Sequence, residues 1–235
     1  MISIIHPSRS RANKSLETLT HWKESAAFKN KLEIIISVDD DDPQLKYYQE
    51  NASILNAVLV VGKNNCAVKA INRGAEHSKG RILIVVSDDT DCPKYWDSMI
   101  LAETVMHSDF IVKFQDGIQD WIITMPVMDR VYYNRFGYIY YPEYKHMFCD
   151  TELTAVAELT GRLIKSDFLF RHNHYSVGGI EKDSVSEKAD ATWAEGERVF
   201  VERSLMNFGI ENPVGSITNR IYKDWIDRKQ KEYRK

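Results

Sequence analysis

The sequence is short of the features that mark a secreted or membrane-embedded protein. It has three cysteines, Cys66, Cys92 and Cys149, odd in number and far apart. No C-x-x-C pair occurs, so neither a disulfide framework nor a zinc knuckle is indicated. A reducing, cytoplasmic setting is the simpler inference. No apolar run approaches the length of a membrane span, which leaves only peripheral membrane association. The opening "MISIIHPSRSR" lacks the apolar core and small-residue cleavage site of a signal peptide. Glycine is sparse too: "HPSRSRANK" contains none, so no glycine-rich phosphate loop follows the first apolar run. With a net charge of −3, a general nucleic-acid coat is disfavoured, although a local basic patch stays open. There is no internal repeat and no low-complexity segment.

What the chain does have is the composition of an ordinary globular protein, 43% hydrophobic and 28% charged over 235 residues, enough for one domain with a real core. Four β-branched runs stand out: "ISII" (2–5), "EIIISV" (33–38), "AVLVV" (57–61) and "RILIVV" (81–86). Each is almost continuously apolar, as expected of strands covered on both faces. Leu16, Leu19 and Trp22 lie at helical spacing between the first two, and Ala67, Ala70, Ile71 and Ala75 between the last two. Gly80 is expected to end that second helix. Alternating strands and helices predict βαβ units and a mostly parallel central sheet flanked by helices. A helix is expected over "KYWDSMILAETVM", after Pro93. Beyond about residue 107 the texture changes. "DFIVKF", "WIITMPV" and "YIYY" read as shorter, mixed or antiparallel strands, "DTELTAVAEL" as a helix, "RLIKS" and "FLF" as strands, and the basic C-terminus as an amphipathic helix. Residues 1–107 thus form a nucleotide-binding α/β half and 108–235 an acceptor-side half with C-terminal helices, within a single domain.

In open parallel sheets, ligands bind beyond the carboxyl ends of the strands. The four strands are followed there by "HPSRSR", "DDDDP", "GKNN" and "SDDTD". The last group crowds Asp88, Asp89 and Asp91 into four positions, where like charges repel. Hard carboxylate oxygens of this kind hold Mg²⁺ or Mn²⁺ and, through the ion, a diphosphate. The plainer alternative is a solvated turn whose aspartates cap the next helix. Asp39, directly after the second strand, can accept a hydrogen bond from a uracil N3–H or a ribose hydroxyl; Asp40 to Asp42 read better as an exposed turn. Arg9 and Arg11 can pair with phosphates. Lys69 and Asn72 can reach a nucleotide, or simply solvate the edge of the core.

These stretches, "SIIHPSRSR", "IISVDDDDP", "NNCAVKAINRGAEHSKGRILIVVSDDTD", "HMFCDTEL" and "HNHY", resemble the GT-A glycosyltransferases, particularly the family-2-like enzymes, over most of residues 1–175. The resemblance implies a GT-A fold and transfer of a hexose or pentose from a nucleoside-diphosphate sugar to a hydroxyl-bearing acceptor. It implies that Pro7, Ser8 and Arg9 line the nucleotide site with Lys69 and Asn72, and that Asp39 binds the base. The DxD motif maps onto D-D-T-D, with Asp88 toward ribose and Asp89 and Asp91 toward metal; the register is ambiguous by one or two positions.

An inverting transfer needs a base for the acceptor hydroxyl. The resemblance assigns that role to Asp150, with Glu152 beside it as orienter or substitute; without the resemblance Asp150 reads better as a helix cap. His172 and His174, two apart on an extended segment, face the same way, and either can complete the metal shell, as a late histidine does in some GT-A enzymes. Six of the twelve tyrosines fall in 132–148 and suit either sugar stacking or a packed hairpin. Trp121 and Met125 either wall an acceptor pocket or pack in the core. Two other functions compete: a non-catalytic sugar-nucleotide or carbohydrate-binding module, and a sugar-1-phosphate nucleotidyltransferase, which the missing glycine loop disfavours.

Overall fold

The computed structural model describes residues 1–63, 66–178, 182–218 and 220–233, with side chains described at all of these but 220–222. Asn64 and Asn65, grouped above with the polar residues after the third strand, and Gly179 of the "HNHYSVGG" stretch lie outside the described residues. In chain order the elements are β1 (Ile2–Pro7), α1 (Ala12–Ser25), β2 (Leu32–Asp39), α2 (Leu45–Leu55), β3 (Val58–Gly62), α3 (Ala67–Glu76), β4 (Ile82–Val85) and α4 (Trp96–Thr104). There follow β5 (Ile111–Gln115), β6 (Val127–Asp129), α5 (Arg130–Phe136), α6 (Cys149–Leu159), β7 (Leu163–Leu169), α7 (Ser184–Asp190), α8 (Trp193–Ser204) and α9 (Arg220–Tyr233).

One seven-stranded sheet runs through the molecule in the order β3-β2-β1-β4-β6-β5-β7. β1 pairs in parallel with β2 and β4, β2 with β3, and β5 with β7, while β6 is antiparallel to both β4 and β5. The α/β class and mostly parallel sheet expected from the sequence are what is found. Alternation along β1 splits the core: Ile2 and Ile4 face one layer with Leu19 and Trp22 of α1, Tyr48 of α2 and Trp96 of α4. Ile5 faces the other, with Val68 and Ile71 of α3, Tyr132 of α5 and Leu153 of α6. Both faces of the sheet are covered, which is why its strands read as unbroken apolar runs. Trp22 is wholly buried between Trp96 and Phe170, and truncating such a side chain costs about 3–5 kcal/mol.

Several local expectations are corrected. α3 ends at Glu76, four residues before Gly80; Gly80 is needed instead because any Cβ there would lie 2.4 Å from Ser3 Oγ. α4 begins three residues after Pro93, at Trp96. "WIITMPV" is a buried loop up to Pro126, and pairing starts only at Val127, since proline has no N–H for a ladder. "YIYY" is irregular rather than a strand. Its Tyr140 is buried and its backbone is held by Asn72, while "RLIKS" and "FLF" merge into the one strand β7. The sheet is continuous across residue 107, because β4 pairs directly with β6. No described helix is long and apolar enough to cross a membrane.

Candidate active site

The chain runs outward from β1 through β2 to β3, then crosses back to place β4 on the other side of β1. Strand order reverses there, and the loops beyond β1 and β4 meet at that point. Asp88 is nearly buried in the meeting. Its Oδ1 lies 3.1 Å from His6 Nε2, Ser8 Oγ is 3.4–3.5 Å from the two carboxylate oxygens, and Arg11 is 3.5 Å away. Ser8 Oγ also shares a hydrogen bond of 2.8 Å with Tyr48, whose phenol burial pushes up to about 12. Two α1 side chains fix the loop backbone: Thr18 donates to Asp88 O at 3.1 Å and Trp22 Nε1 to Thr90 O at 3.0 Å.

Asp89 points the other way, toward the segment after β7. His172 Nε2 lies 3.3 Å from its carboxylate, and Ser87 Oγ donates to it at 2.5 Å. The two backbones are laced together by a bridge between Thr90 and His172 and by Asn173 N donating to Asp89 O at 2.8 Å. Burial pushes the Asp89 carboxyl up, but the hydrogen bond and charge of His172, with help from Ser87, hold it well below the ordinary carboxylate range. Burial likewise pulls His172 down, and the bond to Asp89 overrides this and raises it. His174 is lowered, first by loss of water and then by the charge of His172.

Asp39 ends β2 between two arginines, Arg9 at 3.0 Å on one oxygen and Arg73 at 3.2 Å on the other. Arg73 also donates to Val38 O at 2.7 Å, Ser37 Oγ at 3.2 Å and Lys63 O at 3.2 Å, so it is fixed by the sheet edge itself. Arg9 also takes Asp41 at 2.7 Å, and Asp42 is buried, accepting from Ser10 N at 2.8 Å and Gln44 N at 2.7 Å. Of the acidic turn expected at 40–42, only Asp40 and Asp41 are exposed.

α6 carries the candidate base. Phe148 precedes it at φ +70°, a left-handed conformation that is strained for a side chain with a Cβ. α8 presses against this turn so closely that a Cβ on Gly196 would lie 2.4 Å from Met147 O. Asp150 follows, half-buried, with Oδ1 accepting from Thr151 N at 2.8 Å and Thr151 Oγ1 at 3.2 Å. Burial raises the Asp150 carboxyl, opposed by the charge of His146 and the bonds from Thr151. His172 feels the charge of Asp150 as well as those of Asp89 and Asp116, and His146 feels Asp150, Asp190 and Asp89. His172 and His146 thus each sense the charges of both Asp89 and Asp150.

Not every expected residue joins them. Asp91 turns to α1, where His21 Nε2 is 2.8 Å away and both side chains are about half exposed. Among the described residues the one three-ligand cluster is His21, Asp91 and Cys92; Asp91 and His174 do not complete a set with Asp89 and His172. Burial pushes the Cys92 thiol up to about 12, the wrong direction for a thiolate ligand. Glu152 is buried and held by Arg203 at 2.7 Å and Tyr144 Oη at 2.7 Å, so it ties α6 to α8 and is spent as a base. Asn72 is spent as well: its amide donates to Tyr140 O at 2.7 Å and accepts from Ile139 N at 3.0 Å and Tyr140 N at 3.1 Å. Lys69 lies on the exposed face of α3, and Pro7 only ends β1. Trp121 and Met125 pack against the core. Arg11, beyond its approach to Asp88, forks onto Asp183 at 2.6–2.9 Å. The reading of the sequence missed His6, Arg73 and His146; for His6 a signal existed, a polar ring inside an otherwise apolar strand.

An imidazole nitrogen and a carboxylate oxygen 3.3 Å apart can grip one divalent cation once the proton between them leaves. The oxygen and nitrogen donors fit Mn²⁺, or Mg²⁺ with more of its own water. Its other ligands would come from water and diphosphate.

The fold is similar to that of solved glycosyltransferase structures. No protein-family model and no curated protein matches the sequence. Solved structures do match the fold. S. aureus TarS superposes with a TM-score of 0.66 at 14% identity over 97% of this chain, which spans 42% of TarS. TarS 1–349 in complex with UDP-GlcNAc gives 0.65 at 17% identity, covering 96% of this chain and 70% of the other. The mannosyltransferase PcManGT from Pyrobaculum calidifontis, in complex with GDP-Man and Mn²⁺, gives 0.58 at 12% identity, covering 97% and 83%.

Proposed function

We propose that this chain is a metal-dependent, inverting glycosyltransferase that moves a sugar from a nucleoside-diphosphate donor to a hydroxyl-bearing acceptor. One observation carries the reading: Asp89 and His172, from two different loops, converge to 3.3 Å, and His172 also senses the charge of Asp150. The bound UDP-GlcNAc, GDP-Man and Mn²⁺ of the structural neighbours support it. Asp39, oriented by Arg9 and Arg73, receives the base. Asp88 accepts from the ribose, and Asp89 and His172 would hold a divalent cation, which when bound would neutralise the charge that grows on the departing diphosphate.

Asp150 is the base. Its carboxylate takes the proton from the acceptor hydroxyl as that oxygen attacks the anomeric carbon opposite the diphosphate, inverting the centre. A carboxyl raised by burial is a stronger base than an exposed one. The acid limb of the rate profile accordingly lies above the ordinary aspartate value of 3.8, with activity lost as pH falls through it. Asp150→Asn is expected to lower transfer about 10²–10⁴-fold while nucleotide binding persists. Release of nucleoside diphosphate from a panel of UDP- and GDP-sugars with Mn²⁺ and acceptor sugars measures both. Nucleotide binding without turnover by the unaltered protein across the panel favours the binding-module alternative.

A further inference from the structure

We propose that Trp193 is the platform of an acceptor subsite and that the acceptor is itself a carbohydrate, one ring of which lies on the indole while a hydroxyl meets Asp150. The meeting with Asp150 rests on the proposed function; the sugar-binding face does not. Of the five tryptophans, Trp22 and Trp96 are wholly buried and Trp121 and Trp225 partly buried, but Trp193 is 56% exposed. The buried pair also use their N–H groups, Trp22 on Thr90 O at 3.0 Å and Trp96 on Trp22 O at 2.7 Å. Among the described residues, Trp193 makes a ring contact with Phe148 and no hydrogen bond through Nε1. That contact is edge-to-face, with centroids 5.0 Å apart and planes at 71°, so it covers at most one face of the indole. A flat apolar face with an N–H at its rim, standing in water, suits the C–H face and the hydroxyls of a sugar ring.

Its place in the fold ties this face to the candidate base. Trp193 opens α8, and the residues around it grip the turn that leads into α6. Thr192 Oγ1 accepts from Met147 N at 3.1 Å, Glu195 pairs with Lys145 at 2.7 Å, and Gly196 lies against Met147 O. Phe148, the ring against Trp193, also stacks on Trp225 at 5.9 Å and tilts against the fully buried Phe200 at 5.8 Å. The indole therefore leans on a ring fixed in the core. Asp150 follows Phe148 by two residues, a Cα separation of no more than about 7 Å, so a mono- or disaccharide on Trp193 can present a hydroxyl to it. Lys145 and Glu195, each about half exposed, offer charged partners for the remaining hydroxyls. A linear polyol or a peptide side chain has no ring to lay on the indole and would leave its face wet.

Fluorine NMR of the protein labelled with fluorotryptophan reads the platform directly, with Trp193→Phe identifying the signal to follow. Titration with the methyl glycosides of glucose, galactose, mannose and N-acetylglucosamine, and with cellobiose and lactose, is made in UDP or GDP with Mn²⁺. At least one saccharide should shift the Trp193 signal, and sorbitol and glycerol should not. Failure of every saccharide to move it, or equal shifts with sorbitol, overturns the proposal. Transfer kinetics give a second arm. For the saccharide that serves as acceptor, Trp193→Ala should raise its KM about tenfold and keep kcat within about threefold, the pattern of lost uniform binding. Trp193→Tyr, which keeps a flat ring, should recover most of the loss. An unchanged KM, a fall in kcat alone, or a loss that Trp193→Tyr does not reduce overturns the proposal and leaves the proposed function intact. Saccharide binding at Trp193 in a protein that transfers nothing across the donor panel would leave the platform standing and bring down the proposed function instead.

Discussion

Two acidic loops lie at the same edge of the sheet, one after β2 and one after β4, and they neutralise their charge differently. After β2 the partners are arginines and backbone N–H groups: Arg9 and Arg73 on Asp39, Arg9 on Asp41, and Ser10 and Gln44 on Asp42. After β4 each aspartate faces an imidazole, His6 for Asp88, His172 for Asp89 and His21 for Asp91, with Arg11 and Ser8 farther from Asp88 and Ser87 donating to Asp89. Guanidinium stays charged at any working pH. An imidazole can give up its proton and present a lone pair to a cation. The first loop is built to stay as it is, the second to exchange what it holds.

The sharpest way to break this contrast is Asp89→Ala. Transfer should fall by about 10³-fold, and the rise in melting temperature produced by Mn²⁺ should vanish. Full activity would remove the exchangeable site altogether. Next in size is a pH effect. His172 is raised above its ordinary 6.5 and Asp89 depressed below 3.8. The ion pair therefore stabilises the metal-free protein between those ordinary values and is lost as pH rises through the raised value of His172. Metal affinity runs the other way, because the proton competes for the same nitrogen: it should climb about tenfold per pH unit until His172 is neutral, then level off. Metal-free nucleotide binding at the arginine-held loop should stay flat over the same range. His172→Ala should flatten the metal curve, and calorimetry at several pH values reads all three. The smallest effect is expected for Asp91→Ala. Its exposed pair with His21 is of the kind worth about 0–1 kcal/mol, so stability and turnover should change less than about twofold. A large loss of turnover would return Asp91 to the metal.

How much of this was readable in advance follows from the range of the interactions. β1 to β4 announce themselves because each is covered on both faces, and position after a strand was enough to single out Asp39, Asp88 and Asp89. The imidazole partners do not follow from position: His6 lies 82 positions from Asp88 and His172 83 positions from Asp89; the family resemblance offered His172, and only the fold shows His6. Asn72 and Glu152 looked like site residues because polarity on a helix has the same appearance whether it faces a ligand or a buried backbone. One clamps the 139–140 segment and the other binds Arg203. The apolar loop before Pro126 misled for the opposite reason, since Ile122, Ile123 and Met125 fill the core without belonging to a ladder.

The three-residue strand β6 has a consequence for anyone who recombines this protein. It pairs Ile84 with Val127, Leu83 with Met128 and Ile82 with Asp129, and so, among the described residues, splices the four-stranded block to the β5–β7 pair. A chimera that exchanges the acceptor half at residue 107 must carry a segment that fits β4 in this antiparallel register. Without one, β4 is left as a bare apolar edge, the kind that recruits other chains and precipitates.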